Sequence, residues 1–199
     1  MWVKICGVRS LKAALHAQEC GADAVGLNLH PPSARYIDPH EAARICEALD
    51  IETVLVVVDR SEPDLSELVK TIQPDSVQLH GNEPPGFGAS LGVAVFKAFA
   101  ARPGVAEHVL SHGGPRFLLD AWVPGRHGGT GCRADPQLAR DIAGLGEMVL
   151  AGGLTPENVS ELIKQIQPFG VDVASGVESS PGVQDLDRIA AFISAARSG

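Results

Sequence analysis

Eight short apolar segments, separated by helical patterns, constrain the fold of this 199-residue chain more than any other feature. The segments begin near Trp2, Ala24, Val54, Ser76, Ala94, Arg116, Met148 and Gly170. Runs that are apolar at consecutive positions, such as residues 54–58, are typical of parallel strands covered on both faces. At 199/8, or about 25 residues per unit, the chain is at the lean end for an eightfold barrel. We therefore predict a single (β/α)8 TIM barrel domain over residues 1–199, with a doubly wound open sheet as the alternative.

Helix-start patterns lie between the apolar segments. Asp38 precedes a proline and Ser61 precedes an acidic first turn, and both patterns predict an N-cap. Thr155 and Asp185 are the predicted starts of two later helices. Residues 82–91 and 104–112 are short or interrupted by Gly and Pro, so we expect brief or irregular helices there.

Composition excludes several classes of partner. The 16 Lys and Arg residues against 24 Asp and Glu residues give a net charge of −8, which argues against nucleic acid or an anionic membrane as a partner. Apolar runs are too short to cross a bilayer, and the N-terminus lacks the zones of a signal peptide.

The four cysteines show no C-x-x-C pairing, and the histidines show no spacing typical of metal ligands. We therefore expect no disulfide framework, no metal and a cytoplasmic location.

Polar residues follow the predicted strands at the end where parallel barrels carry their sites. Cys6 is either a general base or a small buried hydrophobe. Asp120, directly after three apolar residues, is either a general acid or a turn-stabilising carboxylate. Arg35, in the loop after the second strand, suits a carboxylate or phosphate, although a solvated loop arginine is commoner. His80 lines the mouth of the site or is structural. Asp172, inside an apolar run, requires a partner inside the barrel and is either a site residue or a core polar group with its hydrogen bonds satisfied.

Glycine-containing turns follow the last two predicted strands. Gly152 and Gly153 precede a helix, and Ser175 and Gly176 follow the eighth strand. Glycine lets backbone N–H groups approach an anion, and phosphate binding after strands seven and eight recurs in barrels. The pattern favours a phosphate site over two tight turns. Residues 128–131 predict a lid, an anion nest or a flexible loop.

Several motifs in order give the chain a clear resemblance to a known family. They are Lys4-Ile-Cys-Gly7, Ser33-Ala-Arg-Tyr36, Val77-Gln-Leu-His-Gly81, Gly128-Gly-Thr-Gly131, Leu150-Ala-Gly-Gly-Leu154 and Val171-Asp-Val-Ala-Ser-Gly-Val-Glu-Ser-Ser-Pro-Gly182. Across nearly its whole length the chain resembles the phosphoribosylanthranilate isomerases of tryptophan biosynthesis.

The resemblance implies a cofactor-independent aldose–ketose isomerase, an intramolecular oxidoreductase that performs an Amadori rearrangement. It implies Asp120 as general acid and Cys6 as general base. It assigns the anthranilate carboxylate to Arg35 and the phosphate to the glycine turns at 152–153 and 175–176. His80 and Asp172 match positions that line the family's pocket. The implied partner is a small phosphorylated substrate, and the oligomeric state stays open.

The chain also departs from the family pattern at three places. Leu27-Asn-Leu-His30 stands where an aromatic-rich segment is usual, Ala34 replaces a proline, and Cys132-Arg-Ala134 follows the glycines of the sixth loop. These loops would contact the anthranilate ring or close over substrate. Two alternatives therefore stay open: an isomerase of another N-substituted ribosylamine phosphate, and a phosphosugar-binding barrel without turnover.

Overall fold

Eight parallel strands close into a barrel in the order β1 to β8, with β1 hydrogen-bonded to β8. The structure, a computed structural model, describes residues 1–120 and 136–199. The strands are β1 Trp2–Cys6, β2 Ala24–Asn28, β3 Glu52–Val57, β4 Ser76–Leu79, β5 Ala94–Ala100, β6 Arg116–Asp120, β7 Glu147–Ala151 and β8 Gly170–Val173. The predicted (β/α)8 barrel is confirmed, and the open doubly wound sheet is excluded by closure.

Helices follow all but one of the strands. They are α1 Leu11–Glu19, α2 Pro39–Ala48, α3 Glu62–Ile72, α4 Val105–His112, α5 Pro136–Ala143, α6 Val159–Ile166 and α7 Leu186–Arg197. The predicted N-caps are confirmed at Asp38, Ser61 and Asp185, whose side chains accept from backbone N–H groups of the first turn. The prediction at Thr155 is wrong by one turn. There the chain first forms a turn in which Asn158 Oδ1 accepts from Thr155 N, and α6 begins at Val159.

A polar network takes the place of a helix between β4 and β5. Residues 82–91 form turns, so the expectation of a brief helix there is wrong, whereas α4 forms as expected. Glu83 is buried and accepts from Asp59 N at 2.8 Å and Gly81 N at 3.0 Å. Lys97 Nζ lies 3.4 Å from its carboxylate. Hydrogen bonds to a fixed carboxylate thus hold this loop where no helix packs.

The barrel interior is filled at one end and open at the other. One cluster of buried apolar side chains fills the barrel interior: Ala24, Val54, Phe96, Ala98, Leu118, Val149 and Ala151. Below them Arg116 Nη1 donates to both oxygens of Glu52 at 2.9 Å, and its guanidinium lies 4.8 Å from the Trp2 ring centroid. The amino end of the barrel is therefore closed by packed and paired groups. A binding cleft can form only at the carboxyl end.

A small hairpin extends the loop after β8. A 3₁₀ turn at Ser175–Val177 leads into β9 Glu178–Ser180, which pairs antiparallel with β10 Val183–Gln184. The hairpin returns over the loops that follow β1 and β2 before α7 begins. In the described part of the chain, no helix has the length and apolar character needed to cross a membrane.

Candidate active site

A cleft of about 440 Å³ opens at the carboxyl end of the barrel. Eight of the nine residues nominated by the sequence line it: Cys6, Arg35, His80, Asp120, Gly152, Gly153, Asp172 and Ser175. Gly176 is the exception, because it packs behind the cleft wall rather than on its surface. The fold thus brings together residues that lie up to 169 positions apart in the chain.

Cys6 ends β1 beside a buried ion pair. Lys4 Nζ donates to Asp172 Oδ1 at 2.8 Å, which supplies the buried partner that the sequence required for Asp172. A Cβ atom added at Gly26 would lie 2.7 Å from Cys6 Sγ and 3.0 Å from Lys4 Nζ. The thiol and the ammonium therefore meet over the same face of Gly26, where no larger residue fits. Cys6 thus combines the two alternatives, since its sulfur is buried and lines the cleft.

The electrostatic environment keeps Lys4 charged. Burial lowers the pKa of Lys4, but the attraction of Asp172 and Cys6 outweighs that effect and leaves the pKa raised. Burial and the negative charge of Asp172 raise the pKa of the Cys6 thiol, while Lys4 and the Gly7 backbone N–H oppose the rise. Near pH 7 Cys6 is therefore mostly a thiol, and Lys4 supplies the adjacent positive charge that favours the thiolate.

His80 connects the barrel interior to Asp120. Its Nδ1 lies 2.9 Å from Gln78 Nε2, and its Nε2 lies 4.0 Å from Asp120 Oδ2. With Gln78 donating, Nδ1 accepts and the Nε2–H group faces the carboxylate. Burial lowers the pKa of His80 although Asp120 pulls it upward, so the ring is neutral near pH 7. Asp120 itself is partly exposed in the cleft, with 31% of its side chain accessible.

Arg35 is held by a carboxylate rather than left in solvent. Its Nε and Nη2 donate to the two carboxylate oxygens of Glu178, each at 2.7 Å. Glu178 is almost fully buried, with 4% of its side chain exposed, against 28% for Arg35. The alternative of a solvated loop arginine is thereby excluded. Glu178 thus fixes one edge of the guanidinium, and Arg35 lines the cleft.

The two glycine turns pack against each other at the far end of the cleft. Gly152 and Gly153 adopt φ values of +90° and +67°, which disfavour residues with a Cβ. A Cβ at Gly176 would lie 1.9 Å from the carbonyl oxygen of Leu154. Glycine at 176 therefore allows the loop after β8 to touch the loop after β7. The glycine-rich residues 128–131 and the divergent residues 132–134 lie outside the described residues.

Three residues with clear contacts to the site were not nominated from the sequence. Lys4, Gln78 and Glu178 all lie inside the quoted motifs, yet none directly follows a predicted barrel strand. Lys4 and Glu178 could have been nominated as charged residues that the predicted barrel would bury. Buried charges require partners, so such residues are candidates for a site. No sequence signal could reveal which partners they have.

Lys97 lies in the middle of β5 and takes no part in this cleft. Its Nζ donates to the backbone oxygens of Leu79, Gly81 and Ala98. It lines a neighbouring cleft of about 470 Å³, whose wall shares His80 and Asp120 with the main one. Within residues 1–120 and 136–199, no cluster of three or more His, Cys, Asp or Glu side chains could hold a metal ion.

The fold and cleft define a class of protein. A closed parallel barrel with a thiol and a carboxylic acid on one cleft, a fixed guanidinium and glycine turns after β7 and β8 is the architecture of barrel enzymes that act on phosphorylated small molecules. The particular family follows from comparison with known proteins.

The family model described as N-(5'phosphoribosyl)anthranilate (PRA) isomerase matches residues 3–195. The chain is 40% identical to the N-(5'-phosphoribosyl)anthranilate isomerase of Geobacter sulfurreducens, covering 98% of each chain. It is 43% identical to that of Myxococcus xanthus, covering 98% of this chain and 96% of the relative. The chain belongs to the phosphoribosylanthranilate isomerase family, and the resemblance seen in its motifs is confirmed.

Solved structures agree. Phosphoribosyl anthranilate isomerase from Thermotoga maritima superposes with a TM-score of 0.90 at 37% identity, with both chains fully covered. A second phosphoribosyl anthranilate isomerase structure was solved in complex with reduced 1-(o-carboxyphenylamino)-1-deoxyribulose 5-phosphate. It superposes with a TM-score of 0.86 at 34% identity, again over the whole of both chains.

Proposed function

We propose that this protein isomerises N-(5-phosphoribosyl)anthranilate to 1-(2-carboxyphenylamino)-1-deoxyribulose 5-phosphate by general acid–base catalysis. One observation carries the proposal. In a chain of this family, Cys6 and Asp120 line the same cleft, between a fixed arginine and the paired glycine turns. A second candidate, an isomerase of another N-substituted ribosylamine phosphate, is favoured by Leu27–His30 and Ala34, which depart from the family pattern beside the cleft.

In the proposed first step, Asp120 donates a proton to the furanose ring oxygen. The bond between that oxygen and C1′ breaks, and the nitrogen lone pair forms the iminium C1′=N⁺ of an open-chain Schiff base. Asp120 suits this role because its carboxyl group is reachable from the cleft. The neutral His80 ring, with Nε2–H directed at the carboxylate 4.0 Å away, would stabilise the anion that remains.

In the proposed second step, Cys6 removes the C2′ proton as a thiolate. The electrons of the C2′–H bond form C1′=C2′ and neutralise the iminium, giving an enolamine. Loss of the C2′ hydroxyl proton and protonation at C1′ then complete the ketone. An iminium beside the sulfur adds a second positive charge to that of Lys4, so substrate binding would itself favour the thiolate.

The remaining nominated residues would hold the substrate. Arg35 would bind the anthranilate carboxylate through its N–H groups that Glu178 does not use. Gly152, Gly153 and Ser175 would bind the phosphate through backbone N–H groups, and Gly176 would permit the close contact between their loops. Asp172 would hold Lys4 beside Cys6.

The substrate is a small phosphorylated molecule, and no added cofactor is needed for these proton transfers. We propose the cytoplasm as its place of action, since Cys6, Cys20 and Cys46 are unpaired thiols, as expected in a reducing compartment. A non-catalytic phosphosugar-binding barrel is disfavoured, because binding a phosphate requires neither a thiol beside a lysine nor a facing carboxylic acid.

The test measures Asp120→Asn. We expect turnover of freshly generated phosphoribosylanthranilate to fall by at least about 10²-fold, because the ring oxygen loses its proton donor. Binding of the reduced product analogue should stay within a few-fold of the parent protein, because it needs no proton transfer. Near-normal turnover in Asp120→Asn would contradict the assigned acid. A panel of other N-substituted ribosylamine phosphates, assayed in parallel, separates the two candidate substrates.

A further inference from the structure

The contact between Arg35 and Glu178 joins two loops that are far apart in the chain. Arg35 belongs to the loop after β2, and Glu178 begins β9, 143 residues later. Both carboxylate oxygens accept from the guanidinium at 2.7 Å, which is the two-pronged geometry that fixes the plane of an arginine head group. Such a contact fixes the orientation of the Arg35 guanidinium as well as its distance from the Glu178 carboxylate.

The hairpin that carries Glu178 is itself clamped to the neighbouring loops. A Cβ at Gly182 would lie 2.2 Å from the carbonyl oxygen of Ala34, so the hairpin turn touches the residue before Arg35. Gln184 Nε2 donates to the carbonyl oxygen of Gly7 at 2.6 Å. Glu178 is thus presented from a support that is tied to both loops beside the cleft.

The stem of Arg35 is held as closely as its head. Gly7 adopts a φ of +71°, and a Cβ there would lie 2.6 Å from Arg35 Cδ. Arg35 therefore passes directly over the residue that follows Cys6. Its position relative to the thiol is set by backbone contact at one end and by Glu178 at the other.

The paired arginine keeps donors for a second anion. A guanidinium has five N–H groups, of which Glu178 takes two, one on Nε and one on Nη2. Among the described residues, Nη1 has no hydrogen-bond partner, so the edge formed by Nη1 and Nη2 is available. That edge matches a further carboxylate in the same two-pronged geometry.

We infer that Glu178 is a positioning residue, which turns the free edge of Arg35 into the cleft and so makes the site selective for an aryl amine with an ortho carboxylate. The inference rests on the proposed function, in which Arg35 binds that carboxylate. Glu178 does not touch the substrate. It acts through the orientation of the guanidinium.

Two opposing effects follow from Glu178→Gln. The neutral amide would leave Arg35 with an uncompensated positive charge, which attracts an anion. It would also replace one acceptor oxygen with an NH₂ group that repels Nη2–H, so the guanidinium would lose its fixed plane. We expect orientation to dominate, because lost charge-assisted hydrogen bonds act at contact distance, whereas the added charge is partly exposed to solvent.

The experiment compares equilibrium binding of two ligands, the reduced product analogue and its counterpart without the ring carboxylate. Glu178→Gln should weaken binding of the carboxylated ligand by about tenfold and leave the other within twofold. Arg35→Ala should show the same selectivity. The double variant should be no weaker than Arg35→Ala alone, because Glu178 acts only through Arg35. Ser180→Ala, an exposed change in the same hairpin, is the matched control and should affect neither ligand.

Equal weakening of both ligands in Glu178→Gln, tighter binding of the carboxylated ligand, or additive effects in the double variant would each overturn the positioning role. Because binding needs no turnover, these results stand apart from the proposed reaction. If Arg35→Ala is selective and Glu178→Gln is not, the carboxylate site holds and the positioning role fails. If Arg35→Ala weakens both ligands equally, the carboxylate site itself fails and takes the inference with it.

Discussion

The candidate general base is shaped by three charged or ionisable side chains rather than by the thiol alone. Cys6, Lys4 and Asp172 come from adjacent strands β1 and β8, which pair in parallel register with Lys4 opposite Asp172. Asp172 keeps the buried ammonium charged, and the ammonium favours the thiolate. The arrangement couples the reactivity of the sulfur to the Lys4–Asp172 ion pair.

The pH dependence of Cys6 follows from the direction of its pKa. Because that pKa is raised above the ordinary thiol value of 9.0, the thiolate fraction should still be rising beyond that pH. Replacing Lys4 by methionine removes the nearest opposing charge, so the pKa should move higher still. We expect alkylation of Cys6 by iodoacetamide at pH 8 to slow by about tenfold, which corresponds to roughly one pKa unit.

The measurement follows the Cys6 peptide by mass spectrometry, since other cysteines also react. The control is Lys4→Met combined with Asp172→Asn, which removes both charges and should bring the alkylation profile back toward that of the parent. The single variant should also lose about 3–5 kcal/mol of unfolding free energy, because it leaves Asp172 buried and unpaired. An unchanged alkylation profile in Lys4→Met would show that the ammonium does not act on the sulfur.

At the scale of elements, the two glycine turns work as one unit. The loops after β7 and β8 meet where Gly176 lies under the Leu154 carbonyl, and the turn after Leu154 is held by Asn158. The side chain of Arg188 donates to the Gly176 carbonyl at 2.9 Å and links the unit to α7. The geometry of any phosphate site here therefore depends on the separation of the two loops.

Gly176→Ala tests that dependence. A Cβ placed 1.9 Å from a carbonyl oxygen must force the loops apart. We expect KM for the phosphorylated substrate to rise at least about tenfold, as for loss of one or two hydrogen bonds to a charged group. Gly144→Ala is the matched control, because a Cβ there meets only the Asp141 oxygen at 3.6 Å. Equal KM values in the two variants would mean that contact between the loops does not shape the binding site.

At the scale of the whole molecule, the two ends of the barrel have different tasks. Arg116 closes the amino end by pairing with Glu52 and stacking near Trp2, Phe96 and Phe169. The carboxyl end collects the polar groups of the cleft. Because every strand enters the barrel from the closed end, residues that follow the strands meet at the open end whatever their separation in sequence.

Sequence patterns predicted the barrel because each βα unit carries its own local information. Period and capping located eight strands and most of the predicted helix starts, and strand ends, loop position and charge within apolar runs together identified eight residues that line the cleft. Contacts between residues far apart in the chain could not be predicted from such local patterns. The contacts of Lys4 with Asp172 and of Arg35 with Glu178 depend on barrel closure and on the hairpin, which no local pattern encodes. The helix predicted for residues 82–91 was wrong because hydrogen bonds to the buried Glu83 carboxylate hold that loop without a helix. The single-domain assignment of residues 1–199 stays a prediction.

The central claim is that one cleft moves protons at C2′ through Cys6. The most direct measurement mixes excess protein with freshly generated phosphoribosylanthranilate and follows the loss of its fluorescence in a single turnover, for the parent protein and for Cys6→Ala. Binding of the reduced product analogue is measured on the same samples. We predict fast decay in the parent, a decay at least about 10²-fold slower in Cys6→Ala, and analogue binding within a few-fold in both. Decay at the parental rate in a folded Cys6→Ala protein would contradict the account.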